Sequence, residues 1–354
     1  MRSRSSPAVN HFFRLPGIPG GGRDEGKESP LHEKRQRLIR KLRGELGPEI
    51  LAALDDPSVI EVMLNPDGAL WVERLGGKPE RCGSMSVPNA EAVLGTIATA
   101  LGTVVTPTHP ILEGELPIDG SRFEGLLPPV VARPSFTIRK KASQVFTLAD
   151  YVAKGIMTPT EYDMIQLGVA GYRNILVVGG TGSGKTTLTN AIISEIVATY
   201  PDDRLVIIED TAEIQCTAED AVILHTSIDV DMLKLLRATM RLRPDRILVG
   251  EVRGPEAQAL LKAWNTGHPG GVATLHANGA HAGLIRLEQL IAEGGAVNQR
   301  PLIAEAVGLI VAIEKTPIGR RVKEIVSVQG LDGDGNYDML DVHKGVGDGD
   351  EEVN

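Results

Sequence analysis

The sequence predicts an α/β protein, a parallel sheet covered by helices on both faces, preceded by a smaller α+β domain. Three observations carry this. Short, mostly apolar runs at residues 174–178, 204–208 and 246–249 have the composition of strands buried on both faces. A helical segment at 188–198 separates the first two, the alternation that builds a parallel sheet. A glycine-rich loop joins the first run to that helix, and the carboxyl ends of such strands carry the ligand site.

With 354 residues the chain has room for two domains. Hydrophobic residues at 42% and charged residues at 23% are those of a packed globular protein. A net charge of −9 and only 3% aromatics argue against a surface coated for nucleic acid, so direct DNA binding is not expected. Cys82 and Cys216 are far apart and in no ligand-like spacing, as in a cytoplasmic protein with reduced thiols. No apolar run approaches the ~18 residues of a membrane span. No apolar stretch follows Arg2 and Arg4, so no secretory signal is read.

Along the chain, residues 1–30 are rich in Ser, Pro, Gly and Arg and are expected to form a flexible tail. From 31 to 46, Leu38, Ile39, Leu42 and Leu46 recur at helical spacing, with Arg35, Arg37, Arg40, Lys41 and Arg43 on the other faces. Such a basic amphipathic helix lies either on an anionic membrane or, solvated, against its own domain. The first domain, 31–146, is expected to hold a strand at 59–64, a turn at Asn65-Pro66-Asp67-Gly68 and a second strand at 69–74. An Ala-rich helix at 90–101 follows, then strand-like runs between 118 and 141, broken by Pro128, Pro129 and Pro134. The second domain, 147–344, has a helix opening at Pro159 and then the apolar strands. Residues 345–354 form an acidic, Gly-rich tail. The stretch Asp332-Gly333-Asp334-Gly335-Asn336 imitates a calcium loop, but Tyr337 replaces the required glycine and His343 the closing acid, so a hairpin turn is expected.

Chemistry enters at Gly179-Gly180-Thr181-Gly182-Ser183-Gly184-Lys185-Thr186, which fits G-x-x-x-x-G-K-[ST] at every fixed position between a strand and a helix. The glycines let successive N–H groups turn toward phosphate oxygens, and the helix adds the positive end of its dipole. Lys185 is placed for the β- and γ-phosphates of ATP, and the Thr186 hydroxyl for Mg²⁺. Hydrolysis needs acids as well. Glu209 and Asp210 follow one buried strand and Glu251 follows another, where solubility explains a carboxylate poorly. His276 ends a further apolar run, at 271–276, and can read a γ-phosphate or serve as a structural histidine. Among many arginines, Arg122 and Arg139 approach the domain junction and suit a phosphate in its transition state.

Four ordered blocks resemble the type II/IV secretion-system ATPase superfamily, and within it the TrbB-type conjugal-transfer ATPases. They are the phosphate loop from Gly179 to Thr187, the segment 204–215 (similar to the family's Asp box), 243–253 (its Walker B) and 266–278 (its His box). Residues 57–65 and Gly120-Ser121-Arg122-Phe123 also look like the family. The resemblance covers roughly residues 35–340 and implies a RecA-like P-loop ATPase domain binding ATP and Mg²⁺ between two domains of each subunit. It further implies a homohexameric ring, cytoplasmic and peripheral at the inner membrane, working with secretion-channel proteins. Carried over residue by residue, Glu251 is the catalytic glutamate, Glu209 the acid near Mg²⁺ or water, His276 the sensor, and Arg122 and Arg139 the first-domain arginines. Thr186 and Glu209 are then the metal ligands. One departure from other P-loop proteins is Gly250, where they carry an aspartate, which leaves few acids to share Mg²⁺ with Thr186. Two other readings compete: a pilus-assembly or type II secretion ATPase, for which a four-cysteine zinc motif is expected, and a nucleotide-gated scaffold, which need not keep Glu251. Lys185→Ala is expected to abolish ATP binding, measured by equilibrium titration with a fluorescent ATP analogue.

Overall fold

The computed structural model describes residues 30–75, 77–141, 146–227 and 229–341. The tails expected at 1–30 and 345–354 lie outside them, apart from Pro30. The first half contains α1 (Pro30–Asp55), β1 (Val59–Leu64), β2 (Ala69–Arg74), β3 (Glu80–Ser84), α2 (Val87–Ala100), β4 (Ile111–Glu115), β5 (Arg122–Leu126) and β6 (Ser135–Arg139). Its strands form one sheet in the order β3-β2-β1-β6-β5-β4, every pair antiparallel. The expected turn between β1 and β2 is present: Gly68 adopts φ 83°, and Asp67 Oδ1 accepts the Ala69 N–H at 2.9 Å.

Helix α1 runs further than the expected 31–46. Gly47, at φ 78°, breaks it, and Pro48 starts a second piece that keeps Ile50 and Ala53 on the buried side with Leu42 and Leu46. Ser86 caps α2 by accepting the Asn89 N–H. The sheet lets α2 approach closely because Gly125 has no side chain: a Cβ there would lie 2.2 Å from Leu94 Cδ2.

The second half contains α3 (Leu148–Ala153), α4 (Pro159–Ala170), β7 (Ile175–Gly179), α5 (Lys185–Thr199), β8 (Leu205–Glu209) and β9 (Ala221–His225). It continues with α6 (Met232–Thr239), β10 (Arg246–Val249), α7 (Glu256–Asn265), β11 (Val272–His276), α8 (Ala280–Glu293) and α9 (Arg300–Ala306), then β12 (Leu309–Thr316), β13 (Gly319–Leu331) and β14 (Tyr337–Asp341). The sheet order is β14-β13-β12-β7-β11-β10-β8-β9. From β12 to β9 it is parallel, as expected. At the other edge β13 and β14 are antiparallel, because Pro317 and Ile318 alone join β12 to β13 and so short a connection permits only a hairpin. The Asp332 segment is the hairpin turn between β13 and β14, its Oδ1 accepting the N–H groups of Asp334 and Asn336. Two apolar layers sandwich the sheet, one built with α6 to α9 and the other with α3 to α5.

At the amino end of β10, Arg246 is fully buried. Its Nε is 2.6 Å from Asp203 Oδ2, its Nη1 donates to Gly270 O, and its guanidinium lies 3.9 Å from the Tyr172 ring centre. This arginine therefore belongs to the scaffold. Removing one partner of a buried pair leaves the other uncompensated, so Arg246→Ala is expected to lower unfolding free energy by about 3–5 kcal/mol, read from urea denaturation. A loss under about 1 kcal/mol, the size of a surface pair, would contradict that role.

Candidate active site

Strand register builds the site. Gly179 of β7 pairs with His276 of β11, and Ile208 of β8 with Val249 of β10. The carboxyl ends of four adjacent parallel strands therefore present Gly179, His276, the Gly250–Glu251 turn and Glu209 side by side. The loop leaving β7 delivers Lys185 as the first residue of α5, with Gly182 at φ 68° and Gly184 at φ 99° allowing the curl. Arg122 and Arg139, directly opposed on β5 and β6, face this edge. They line one cleft with Thr181, Gly182, Lys185, Thr186, Glu209, Glu251 and His276. Gly179, Gly180, Ser183, Gly184 and Thr187 flank it. The Ser183 hydroxyl is buried without a hydrogen-bond partner.

Lys185 Nζ donates to Gly179 O and Gly180 O, both at 3.0 Å, and lies 3.4 Å from each ring nitrogen of His276. Burial holds this ammonium below the usual lysine value, with Glu251 opposing. Glu251 takes Arg253 Nη2 on Oε2 at 2.5 Å. Its buried Oε1 is 2.9 Å from His276 Nε2 but not in line for a hydrogen bond, so that acceptor is unsatisfied. Burial, then the Lys185 charge, pulls the His276 imidazole below its ordinary value, so the ring is neutral at neutral pH.

Glu209 lines the cleft but is only 2% exposed, and its carboxylate is taken up by neighbours outside the phosphate loop. Oε2 accepts the N–H groups of Glu213 and Ile214, each at 2.9 Å, and Oε1 lies 3.2 Å from His225 Nε2. Burial pushes this carboxyl above the ordinary glutamate value, against the pull of these hydrogen bonds. The carboxylate that reaches Thr186 belongs to Glu213, whose Oε2 accepts the Thr186 hydroxyl at 3.1 Å. Glu213 is further held by Asn190, which donates to its carbonyl and accepts from the Gln215 N–H. The first domain touches the same segment, where Glu115 Oε1 accepts the Ala212 N–H at 3.2 Å.

Sequence reasoning missed Glu213 and Arg253. Both stand inside the quoted blocks, Glu213 four residues after Glu209 and Arg253 two after Glu251. An acid in a loop has no periodicity to announce it. A cue was available in Asn190, a polar residue on the inner face of the loop's own helix.

A family model described as "Type II/IV secretion system protein" matches residues 107–317. The chain is 57% identical over 303 residues to a probable conjugal transfer protein TrbB of Sinorhizobium fredii, covering 86% of this chain and 93% of that protein. It is 56% identical over 294 residues to a conjugal transfer protein TrbB of Rhizobium radiobacter, covering 83% and 91%. Among solved structures, the Legionella pneumophila ATPase DotB shares the fold at 18% identity and a TM-score of 0.55, over 91% of this chain and 82% of that one.

Because the His276 value is depressed, whatever stability depends on its neutral ring is present above pH 6.5 and is lost as pH falls through the lower folded value. The melting temperature of wild type is therefore expected to fall below that of His276→Gln progressively under acid conditions and to match it at neutral pH. Parallel curves across that range would contradict the assignment.

Proposed function

The chain belongs to the type II/IV secretion system protein family, and from that membership we propose that it is the ATP-hydrolysing motor of a conjugative type IV secretion system. The observation that carries the reading is the single cleft in which four strand ends of one domain face two arginines of the other. Loop N–H groups and Lys185 hold the phosphates, with Lys185 exchanging the carbonyls of Gly179 and Gly180 for phosphate oxygens. Glu251 presents its unsatisfied Oε1 to the attacking water and takes up its proton. His276, neutral and between Lys185 and Glu251, reports whether the γ-phosphate is there. Arg122 and Arg139 close on the phosphates from the first domain, so that nucleotide draws the two domains together.

Thr186 and Glu213 put two hard oxygens side by side at the head of α5, which fits Mg²⁺ drawing its other ligands from phosphate and water. The metal would spread the negative charge of the β- and γ-oxygens. Glu209, expected from the sequence to be a metal ligand, acts one step back: with Oε2 given to the backbone of residues 213 and 214 and Oε1 to His225, it shapes the loop that presents Glu213.

The larger assembly follows the same reading. Domains 31–146 and 147–344 move as two bodies in a homohexameric ring. Among the described residues no helix is long and apolar enough to cross a membrane. The ring sits on the cytoplasmic side, peripheral at the inner membrane, and meets secretion-channel proteins there. The names of the TrbB relatives favour conjugal transfer over pilus assembly.

Glu251→Gln tests the chemistry. It should bind ATP as wild type does and lose about 10²- to 10⁴-fold in kcat, the usual worth of a general base; unchanged turnover would remove Glu251 from the mechanism. Light scattering with Mg²⁺ and a non-hydrolysable ATP analogue tests the ring, and a strict monomer at high protein concentration would count against it.

A further inference from the structure

We propose that Arg320 is a positioning residue for the phosphate loop, an inference that rests on the phosphate-binding reading above. From the hairpin of β12 and β13 it holds the Gly182 carbonyl, and so orients and polarises the N–H of Ser183, one of those that meet phosphate. Strand register brings the hairpin to the loop. Ile313 pairs with Val322 and Lys315 with Arg320, while β12 lies beside β7 with Ala312 opposite Val178. The carboxyl end of β12 therefore stands next to the turn that leaves β7. Val322 is buried in the apolar layer shared with α3 to α5, and its N–H donates to Ile156 O at 2.7 Å, which anchors β13. Arg320, two residues earlier, shares that face of the strand. It is thus on the side from which α5 leaves the loop.

Two glycines of the loop are fitted to this hairpin. A Cβ on Gly179 would collide with the Ile313 carbonyl, and one on Gly184 would lie 2.9 Å from Arg320 Cδ. Arg320 Nε donates to Gly182 O at 3.3 Å. Among the described residues Arg320 makes no ion pair, whereas its neighbour Arg321 is paired with Glu314. A half-buried guanidinium without a carboxylate, aimed at one carbonyl of an anion cradle, is poorly explained by solubility. In a planar trans peptide the C=O and N–H point opposite ways. The bond from Arg320 therefore turns the N–H of Ser183 away from the hairpin and into the curl. There it meets Gly180 O at 3.3 Å, a long contact that a phosphate oxygen can replace. A cationic donor on the carbonyl also strengthens the N–H of the same peptide, because bonded groups in a chain polarise one another. The charge behind the cradle adds to its pull on an anion. This acts on bound phosphates before and during reaction alike, so it bears on affinity more than on the chemical step.

Two substitutions separate this role from packing. Arg320→Met keeps the length of the side chain and its contact with Gly184 but removes the charge and the donor, and Arg320→Lys returns both. Each is compared with wild type by melting temperature without nucleotide, by KM and kcat for ATP, and by displacement of a fluorescent ATP analogue with ADP and with inorganic tripolyphosphate. Arg320→Met should melt as wild type does and bind both ADP and tripolyphosphate about tenfold more weakly. Its KM for ATP should rise by a similar factor, with kcat within about twofold of wild type. Arg320→Lys should recover most of the loss. Wild-type affinity for both ligands in Arg320→Met would make the side chain a spacer and overturn the proposal. Weakened ADP binding with unchanged tripolyphosphate binding would put Arg320 on the nucleoside and overturn it too. A melting temperature well below wild type in both variants would make Arg320 part of the scaffold, with the same consequence. A wild type that binds neither ADP nor tripolyphosphate would sink the phosphate-binding reading itself.

Discussion

Everything at the site depends on four neighbouring strands running the same way. Because β7, β11, β10 and β8 are parallel and adjacent, their carboxyl ends open on one edge, and residues nearly a hundred positions apart become neighbours. Gly179 and His276 are cross-strand partners, and Glu209 and Glu251 follow paired residues. The order of these groups in space follows the strand order, not the order in the chain. A buried parallel sheet is also rigid, so the groups it carries are held without each needing its own support. The short apolar strands thus matter to the chemistry mainly through position, with Glu209, Thr274 and His276 at or near their carboxyl ends reaching the cleft.

Charge is distributed over that edge unevenly. Lys185 and Arg253 lie close to Glu251, and Arg122 and Arg139 approach from the other domain with no ion pair to the site's acids among the described residues. A cleft holding more free cations than free carboxylates is arranged for an anion. The acids present are already engaged, Glu213 by Thr186 and Glu251 by Arg253, each at one oxygen. Entry of a polyphosphate changes the partner of nearly every one of these groups. The segment 210–215 is then the natural carrier of that change, since Glu209, Asn190 and Glu115 hold it from three directions.

Much of this was legible in advance. The apolar runs, the turn at Asn65-Pro66-Asp67-Gly68, the helix after the glycine loop and the hairpin at Asp332 all rest on local rules, and each was found where expected to within a few residues. Long-range facts were not available. Nothing local distinguishes Arg246, which is buried against Asp203 and Tyr172, from exposed Arg241 five residues earlier. Strand β13, thirteen residues long, makes its edge of the sheet antiparallel through a two-residue connection that carries no Asn-Gly or Asp-Gly signal. Glu209 looked like the metal acid because it ends a strand. Its buried carboxylate instead accepts the Glu213 and Ile214 N–H groups of the loop beyond it.

The same distinction between local and distant causes explains why the active site straddles two domains. One domain can hold a phosphate loop and an acid, but a motor must convert the loss of a phosphate into movement. Residues that face the phosphate loop from a body with its own sheet suit this, because their distance to it can change while each sheet stays intact. Arg122 and Arg139 sit on such a body, and Glu115 on the same sheet reaches the loop that carries Glu213. That contact is a hydrogen bond between a half-exposed carboxylate and a backbone N–H. A bond of that kind contributes about 0.5–1.5 kcal/mol, enough to favour one arrangement and small enough to be broken without unfolding either sheet. The strong interactions, by contrast, lie within each domain: the buried sheets, the Arg246 pair and the fully engaged Glu209. Stability is concentrated inside the two bodies, which leaves each sheet intact when the contact between Glu115 and Ala212 is broken.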